Sequence, residues 1–558
     1  PIAVGCTLRR LVAKAACRAV KSKMAALLAP AQLGFGIKHG IEAAVHAGRL
    51  YLQNAQRGQA MLKLDFSNAF NTLSRDELLR AVKEQAPELY PFAYICYENA
   101  IHLIFRDVLL RSEEGAQQGD PLGPLFFCLT VKNLFSKLKS EFGVWYLDDG
   151  TLGGSGDNLL NDFQTVLSEA RHIGLTLNEQ KCELITSDPN VTFPLCSSRH
   201  RLLVLKPEHA VLLGAPVGGS TSVDHVLASK LKELHRLAER LKQLNVHDAF
   251  FLLKNCFHIP KLLYTLRSAP CHNSTILEQY DTAIRDTLQS VLNVRMTESV
   301  WNQAVLPVSR GGLGIRAATH VALPAFLSSV TSAESLTVQL LPPRLHPTAD
   351  TSDSLFEQAV TEWQLRSNAV LPNLPHRSIQ KSWDSPLLDV VSARVLSAAQ
   401  TQAGFARLTA AAAPFAGAFL EAIPCSAVGT RMDNSSFRIA AALRLGAEIC
   451  SPHNCICGAP VDSSGVHGLS CRKSSGRQIR HSAVNGIIKR ALASAEVPAR
   501  LEPSSLSRDD GKRPDGMSLM PWKEGRCLIW DFTCADTLAQ SHLDRAVLKA
   551  AAVADDAE

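Results

Sequence analysis

One short stretch in the first third of the chain constrains the fold most. Residues 142–146 are mostly apolar, two adjacent acids follow at Asp148 and Asp149, and Gly150 precedes a second apolar run. This pattern predicts a β-hairpin with both carboxylates at its tip. Adjacent carboxylates repel each other and attract a cation, and hard oxygen ligands suit Mg²⁺. A solvated turn is the alternative interpretation, because Asp-Asp-Gly is also ordinary turn chemistry.

Another carboxylate ends an earlier apolar run. Residues 60–64 predict a buried strand, Asp65 follows it directly, and a capping box formed by Ser74 and Glu77 starts the next helix. Sheets of α/β proteins place ligands at such strand ends. Asp65 and Asp148 together suit two metal ions and in-line phosphoryl transfer.

A loop rich in glycine and proline separates these acids. It covers residues 115–124 and leads into an apolar helix over 125–134. The glycines permit close approach of the backbone to a ligand, and the helix N-terminus favours a phosphate or a template backbone. A purely structural loop is the alternative.

Composition limits the class of protein. A chain of 558 residues allows two to four domains at about 150 residues each, and the net charge of +6 permits a nucleic-acid partner without requiring one. The fifteen cysteines are scattered and follow no secretory signal, so we expect reduced thiols in an intracellular compartment. No uncharged apolar run reaches about 18 residues, and the longest candidate, 408–420, is expected to be a buried or surface helix. Because the chain opens at Pro1 inside an apolar run, we expect a fragment.

The order of these motifs resembles that of the reverse transcriptases of non-LTR retrotransposons, over roughly residues 1–330. Leu147 stands where that family often has alanine. The resembling segments are 1–14, 32–36, 63–70, 117–124, 146–149, 174–182 and 212–216.

The resemblance implies a metal site and a sugar-selecting side chain. Asp65 and Asp148 would hold two Mg²⁺ ions, with the Phe66 carbonyl as a further ligand and Asp149 in support. Phe70 stands where the family has an aromatic steric gate, which would exclude a ribose 2′-hydroxyl and select deoxynucleotides. A core phenylalanine is the alternative for Phe70.

Further implied roles concern the nucleotide and the template. Arg9 and Arg10 would contact the incoming triphosphate. Lys181 would lie near the pyrophosphate as its proton donor, with an exposed surface lysine as the alternative. The loop residues that the resemblance assigns to the nucleotide and the template are Gln118, Gly119 and Pro121.

Helical patterns dominate the middle of the chain. The segments 226–244, 249–266 and 276–292 suit a helical thumb that grips a template–primer duplex. Prolines with Asp, Ser and Thr at 342–354 predict a linker, and 392–413 predicts an Ala-rich helix that stops before Pro414.

A cysteine and histidine cluster begins the C-terminal quarter. Its spacing suits tetrahedral Zn²⁺, although the Cys-x-Cys pair is unusually tight, so Cys450 or His453 is an alternative ligand. Buried reduced cysteines are the other interpretation. Basic residues over 472–490 follow and favour a DNA-binding face. The four candidate zinc ligands are Cys455, Cys457, His467 and Cys471.

Two further acids follow the cluster. Asp515 ends an Arg-Pro-Asp motif, and Asp531 ends a strand that we expect to be buried. Together they suit one Mg²⁺ ion and activation of water against a phosphodiester. With the preceding cluster and the pair Arg480 and His481, they resemble the restriction-like endonuclease of site-specific non-LTR retrotransposons, over about residues 450–545.

The second acid has an unusual neighbour. Thr533 stands where restriction-type nucleases carry lysine, and Lys512 or Lys549 is the expected substitute for its positive charge. Glu502 is a further acid in the same stretch. A surface loop is the alternative interpretation of Asp515.

The predicted fold class is α+β, with a right-hand polymerase of palm, fingers and helical thumb, then a small zinc knuckle and an α/β restriction-endonuclease-like domain. The predicted boundaries are 1–219 for fingers and palm, 220–330 for the thumb, 331–445 for a helical linker region, 446–480 for the knuckle and 481–558 for the endonuclease domain.

The predicted function is RNA-directed DNA polymerisation with Mg²⁺ and Zn²⁺ as cofactors, coupled to nicking of genomic DNA whose 3′-hydroxyl primes the copy. The expected partners are an RNA template, a DNA primer or target and dNTPs, without a membrane, at a nuclear integration site. The alternatives are another RNA-templated polymerase, such as a maturase or an RNA-dependent RNA polymerase, and a decayed or domesticated nucleic-acid binder.

Overall fold

A computed structural model of the chain describes residues 6–117, 119–186, 188, 202–346, 354–471, 473, 476–504, 506, 511, 513–533, 536, 538–550 and 552–555. The strand-like run predicted at 1–4 lies outside these residues, as do Gln118 and Lys512. The chain divides into two compact units. The first contains Pro1–Lys232, Leu262–Gln279 and Ala318–Pro386, and the second contains Glu233–Lys261, Tyr280–Ala317 and Leu387–Glu558.

The described chain mixes helices and strands. Its helices are α1 Thr7–Leu28, α2 Gly40–Gln53, α3 Ala69–Thr72, α4 Arg75–Gln85, α5 Tyr90–Tyr97, α6 Gly123–Phe135, α7 Gly156–His172, α8 Ser220–Leu241, α9 Val246–Leu252, α10 Ile259–Ser268, α11 Thr275–Leu292, α12 Glu298–Ala304, α13 Ala318–Leu340, α14 Ser354–Ser367, α15 Leu374–Arg377, α16 Gln380–Ser397, α17 Gln402–Ala411, α18 Asn434–Leu445, α19 His467–Ser470, α20 Gly476–Ser494, α21 Leu543–Leu548 and α22 Ala552–Asp555.

The strands group into small sheets. They are β1 Gln59–Leu64, β2 Ile101–Phe105, β3 Val108–Ser112, β4 Phe142–Tyr146, β5 Asp149–Ser155, β6 Glu183–Ile185, β7 Leu203–Leu205, β8 Val211–Leu212, β9 Ala215–Pro216, β10 His453–Asn454, β11 Pro460–Val461, β12 Ala499–Leu501, β13 Gly516–Lys523 and β14 Arg526–Trp530.

A five-stranded sheet organises the first unit, in the order β4-β5-β1-β6-β7. Its pairs are antiparallel except for β6 with β7. The apolar side chains of β1 are buried, and α6 and α7 contribute the buried rings Phe126, Phe127 and Phe163 to the same core. Each buried ring contributes about 1.5–3 kcal/mol relative to leaving it in water. The sheet is therefore held as a rigid base for the acids at its edge.

The hairpin predicted at the two acids forms, with one correction of register. β4 and β5 are joined by Leu147 and Asp148, and Asp149 is already the first residue of β5, paired with Tyr146. The turn therefore lies one residue earlier than the Asp-Asp-Gly pattern indicated. The 212–216 segment forms the hairpin β8–β9, because Leu213 and Gly214 both adopt positive φ, as a two-residue hairpin turn requires.

The capping box is only half present. The Ser74 side chain accepts a hydrogen bond from the Glu77 backbone N–H and begins α4. Glu77 does not reach back to Ser74, because its carboxylate pairs with Arg80, and the Ser74 N–H donates to the Ile173 carbonyl.

One helix of the described chain, α13, is long and apolar enough to cross a membrane. Most of its apolar window is buried within the first unit, where α13 packs against α2, as expected for a core helix. The partly buried ion pair of Arg267 with Glu42 also belongs to this unit.

Two segments predicted as single helices are divided. The 249–266 pattern contains a π-helical turn at Leu253–Phe257 that separates α9 from α10, and Pro260 lacks the N–H that a continuous helix needs. The 392–413 pattern is split because α16 ends at Ser397, and Thr401 caps α17 by accepting from the Gly404 N–H.

The second unit contains a three-stranded antiparallel sheet, β12-β13-β14, against which α20 packs. The expectation of a buried last strand is wrong: β14 is largely exposed, and Ile529 retains 54% of its accessible surface. The strand forms nevertheless, because β13 pairs with it along most of its length.

Candidate active site and metal centre

The first acid, Asp65, lies directly after β1. The Asn178 N–H donates to its carbonyl at 2.8 Å, and the Cys182 thiol lies 3.4 Å from its backbone nitrogen. These contacts fix the backbone of Asp65 from the 174–182 segment, which the sequence had grouped with the polymerase motifs. The side chain itself is half-buried.

Strand pairing brings the hairpin acids to the same place. Leu64 pairs with Gly150, so the next position in register sets Asp65 beside Asp149. The Trp145 ring lies against Gly150, where an added Cβ would be 2.3 Å from the ring. This close approach explains why glycine follows the two acids.

The three carboxylates interact electrostatically. Burial raises the pKa of Asp148 above its ordinary value, and repulsion from Asp65 adds to the rise. Burial also raises the pKa of Asp149, with further repulsion from Asp148 and Asp65 and an opposing effect of Lys63. Holding the three carboxylates close together in their charged forms therefore costs electrostatic free energy, which a bound cation would offset.

The two phenylalanines of this motif are ordered by stacking. Phe70 is half-buried and stacks on Phe127 with ring centroids 4.6 Å apart. Phe66 is buried beside Trp145, at 6.3 Å between centroids. A steric gate needs a ring that is fixed in place, as the Phe70 ring is. The same packing is also expected of a phenylalanine at the edge of the hydrophobic core.

The two arginines of α1 have different environments. Arg9 donates to the Asp120 carboxylate at 3.0 Å, and Tyr97 donates to the same oxygen at 2.7 Å. Asp120 is buried and also accepts from the Leu122 N–H at 3.0 Å. Arg10, by contrast, has a buried Nε without a hydrogen-bond partner in the described part of the chain. Arg9 is therefore already paired, whereas Arg10 retains donor capacity.

The remaining loop and lysine residues can be placed individually. Gly119 is exposed with φ of 103°, a conformation that favours glycine, and the Pro121 carbonyl accepts from the Cys17 thiol at 3.1 Å. Lys181 is exposed. Gln118 lies outside the described residues.

The cysteine cluster of the second unit is compact. The ligand atoms of its four members all lie within 4.8 Å of one another, and the Cys455 and Cys471 sulfurs are 3.6 Å apart. Zn–S bonds of about 2.3 Å in a tetrahedron place two sulfurs about 3.8 Å apart, so the spacing fits zinc. A backbone hydrogen bond with Ala459 lowers the pKa of Cys457 to about 6.

Neither alternative zinc ligand joins this group. The Cys450 thiol donates to the Asp462 carbonyl at 3.3 Å, and His453 Nδ1 lies 2.9 Å from the Ser451 carbonyl. Within the described ranges, the four-residue cluster is the one set of three or more such ligands gathered so closely. The carboxylates of Asp65, Asp148 and Asp149 interact electrostatically but do not form such a close group.

Three acids lie at one end of the C-terminal sheet. Leu501 pairs with Gly516, and Gly516 pairs with Trp530, so the neighbouring acids are brought to the same row. In this row Asp515 is buried and Asp531 is exposed. The acids of the row are Glu502, Asp515 and Asp531.

A hydrogen-bond chain surrounds Asp515. His481 Nε2 lies 2.9 Å from its carboxylate, and the Phe532 N–H donates to the same oxygen at 2.6 Å. Asn485 links Trp530, at 3.0 Å, to His481, at 3.4 Å. The Arg480 side chain instead donates to the Leu469 carbonyl.

Neither lysine that was expected to supply the positive charge is observed beside the acids Glu502, Asp515 and Asp531 in the described residues. Lys549 is exposed and pairs with Asp555, Thr533 is exposed, and Lys512 lies outside the described residues. The sequence motifs indicate no role for three polar residues that the tertiary structure places at these sites, because each makes contacts with residues far away in the chain, although two of them lie within the motif segments 32–36 and 117–124. These residues are Gln32, Asp120 and Asn485.

The first part of the chain matches a known protein family. Residues 5–216 match the family described as reverse transcriptase (RNA-dependent DNA polymerase). The chain is 22% identical over 495 residues to the retrotransposable element SLACS 132 kDa protein of Trypanosoma brucei gambiense, covering 86% of this chain and 36% of that protein. It is 24% identical over 281 residues to the retrovirus-related Pol polyprotein from type-1 retrotransposable element R2 of Popillia japonica, covering 46% of each. The chain thus spans less than half the length of these relatives.

Solved structures give a weaker likeness. The apo telomerase of Candida tropicalis aligns with a TM-score of 0.30 and 12% identity, covering 68% of this chain and 60% of that one. The telomerase of Candida albicans aligns with a TM-score of 0.28 and 12% identity, covering 58% of each.

Proposed function

We propose, because residues 5–216 form a reverse transcriptase domain related to those of non-LTR retrotransposons, that this chain is an RNA-directed DNA polymerase. The carrying observation is the convergence of Asp65 with the hairpin acids Asp148 and Asp149 at one edge of the central sheet. The mixed helix and strand architecture suits a right-hand polymerase, with α8 to α11 as candidates for the thumb.

Reverse transcriptases use divalent metal ions, and the acids here fit such ions. Their oxygens are hard ligands, and their mutual repulsion falls when a cation is bound. Asp65 and Asp148 would hold two Mg²⁺ with the Phe66 carbonyl, and Asp149 would add negative potential from β5. Bound Mg²⁺ would supply activation of the primer 3′-hydroxyl and stabilisation of developing charge.

The protein's other residues would bind and orient the nucleotide. Arg10 would bind a phosphate in preference to Arg9, because the Arg9 guanidinium is already engaged by Asp120. Lys181 is exposed. It would donate a proton to the leaving pyrophosphate when the bound nucleotide lies within hydrogen-bond reach of its ammonium group. The loop residues Gly119 and Pro121 would approach the template backbone.

The direct test is primer extension on an RNA template with a DNA primer. Incorporation of dNTPs supports the proposal, whereas exclusive incorporation of NTPs would indicate an RNA-dependent RNA polymerase. No incorporation, with RNA binding retained, would indicate a domesticated binder. Tyr146 before the acids and an aromatic residue at position 70 favour the first outcome.

Substitution of the candidate gate tests sugar selection. We expect Phe70→Ala to raise the efficiency of NTP use relative to dNTP use by about 10–100-fold, because removing the ring opens space for a 2′-hydroxyl. The measurement is the ratio of kcat/KM for matched dNTP and NTP. Phe92→Ala removes another half-buried ring of the same core and should leave that ratio unchanged. An unchanged ratio in Phe70→Ala would leave position 70 with a packing role alone.

The C-terminal quarter supports a second activity, nicking of DNA at the target site. The row of Glu502, Asp515 and Asp531 offers carboxylates for one Mg²⁺, and Asp515 is oriented by His481 and the Phe532 N–H. A zinc-ordered knuckle followed by the basic helix α20 would hold the DNA. The nicked 3′-hydroxyl would then prime reverse transcription, and the protein would act in the nucleus at the integration site.

A nicking assay tests this activity separately. We expect Asp515→Asn to reduce Mg²⁺-dependent nicking of a supercoiled plasmid by about 100-fold or more, because a ligand charge is lost from the metal site. Glu524→Gln alters an acid in the β13–β14 turn, at the opposite end of the strands, and should nick normally. Equal nicking by Asp515→Asn and the wild-type protein would remove this assignment without affecting the polymerase.

A further inference from the structure

A buried glutamine in the segment that connects α1 to α2 contacts the turn between β4 and β5, which carries Asp148. Gln32 has no accessible surface, and its amide reaches across to Leu147, 115 positions later in the chain. Its Nε2 donates to the Leu147 carbonyl at 3.0 Å, and its Oε1 accepts from the Leu147 N–H at 2.9 Å. One side chain therefore binds both backbone groups of a single turn residue.

The residue so held has an unfavourable backbone conformation. Leu147 has φ of 58°, in the left-handed region that a branched, non-glycine residue rarely adopts. Such conformations persist where the surroundings hold them, and they cluster at functional sites. Leu147 is the first residue of the hairpin turn and immediately precedes Asp148, so its φ and ψ set the direction in which the Asp148 carboxylate leaves the turn.

Neighbouring backbone contacts hold the glutamine itself. The Leu33 N–H donates to the Trp145 carbonyl, and the Trp145 N–H donates to the Ala31 carbonyl, each at 2.8 Å. The Gly34 N–H donates to Gln32 Oε1 at 2.9 Å, which fixes the amide. Gly34 also lies so close that an added Cβ would be 2.6 Å from the Leu147 nitrogen. The segment is thus joined to β4 beside the turn by an isolated parallel bridge between Gln32 and Trp145.

We propose that Gln32 is a positioning residue that holds Leu147 in its left-handed conformation and thereby aims Asp148 at the metal ions. This inference rests on the proposed polymerase function. Gln32 touches neither substrate nor metal, and it acts only through the main chain of the turn. Loss of its amide would leave the Leu147 N–H and carbonyl without these partners and free the turn to relax to a commoner conformation.

The test uses the whole chain with Gln32→Met, which keeps the length of the side chain and removes its hydrogen bonds. We expect the affinity for Mn²⁺, measured by electron paramagnetic resonance in the absence of substrate, to fall about tenfold, as is typical when a group that orients a metal ligand is removed. The Mg²⁺ concentration for half-maximal dNTP incorporation should rise by about the same factor. The KM for the RNA–DNA duplex should stay within about twofold, because no nucleic-acid contact is changed.

Two controls separate positioning from stability. Gln85→Met removes the amide of a half-buried glutamine, which donates to the Leu129 carbonyl at 3.0 Å, and it should leave the metal requirement unchanged. Gln32→Glu keeps the acceptor for the Leu147 N–H, loses the donor, and should show a metal requirement at least as high as that of Gln32→Met. Unchanged Mn²⁺ affinity in a folded Gln32→Met protein would overturn the inference. Absence of dNTP incorporation by the wild-type protein would instead overturn the polymerase proposal.

Discussion

Asp148→Asn is expected to reduce dNTP incorporation by about 10³-fold or more, which corresponds to about 4 kcal/mol of lost transition-state stabilisation. The amide keeps the size of the side chain but cannot supply the negative charge that would hold a divalent cation beside Asp65. The measurement is single-nucleotide extension of a DNA primer on an RNA template. Binding of the RNA–DNA duplex should be retained, because the fold around the hairpin is unchanged.

The matched control is Asp157→Asn, which neutralises an exposed acid in the first turn of α7 and should preserve polymerisation. Activity of Asp148→Asn equal to that of the wild-type protein would contradict the assignment of the metal site. A fall in activity with simultaneous loss of duplex binding would indicate misfolding instead, and the melting temperature resolves the two.

The pH dependence of stability provides an independent check on the same variant. Burial and repulsion raise the pKa of Asp148 in the folded state, so the folded protein binds this proton more tightly than the unfolded chain. Stability is consequently lost as pH rises from about 4, the unfolded value, through the raised folded pKa, and the loss is complete above it. Without metal, Asp148→Asn should therefore melt higher than the wild-type protein at neutral pH. The difference should vanish below about pH 4, and Mg²⁺ should reduce it at neutral pH.

Loss of zinc is expected to have the second large effect. A structural zinc ion in small fingers contributes about 10–16 kcal/mol of binding energy that is also folding energy, so residues 450–471 should not stay ordered without it. Cys471 is the most buried of the four ligands. We expect Cys471→Ser to lower the bound zinc from one ion per chain to none, and to open this segment to limited proteolysis.

Cys450→Ser is the matched control, because Cys450 precedes the cluster by five residues in sequence but its thiol donates to the Asp462 carbonyl. It should retain zinc and resist protease like the wild-type protein. Polymerisation should survive in both variants, because the knuckle belongs to the second compact unit and the carboxylate site belongs to the first. Equal zinc loss in the two variants would show that the four-residue set is the wrong ligand group.

Local sequence patterns correctly predicted the secondary-structure elements whose formation depends on residues close together in the chain. Apolar alternation followed by Asp-Asp-Gly predicted the hairpin, an apolar run predicted β1, and Ser74 predicted the start of α4, because pleat, turn and cap are local properties. The same patterns misplaced the turn by one residue. They also predicted one helix where the structure has α9 and α10. They predicted that β14 is buried, which is wrong because the exposure of a strand depends on what packs against it and not on its composition.

Sequence alone determined the chemistry of this protein: which acids stand at strand ends, which cysteines and histidine share a short segment, and which family the first part resembles. Only the tertiary structure decided how that chemistry is held. It pairs Arg9 with Asp120, sets His481 against Asp515, excludes Cys450 from the knuckle ligands, and brings Gln32 to Leu147 across 115 positions. Such contacts join residues far apart in the chain, and no local propensity records them, because their energy arises only when the sheet and helices have packed.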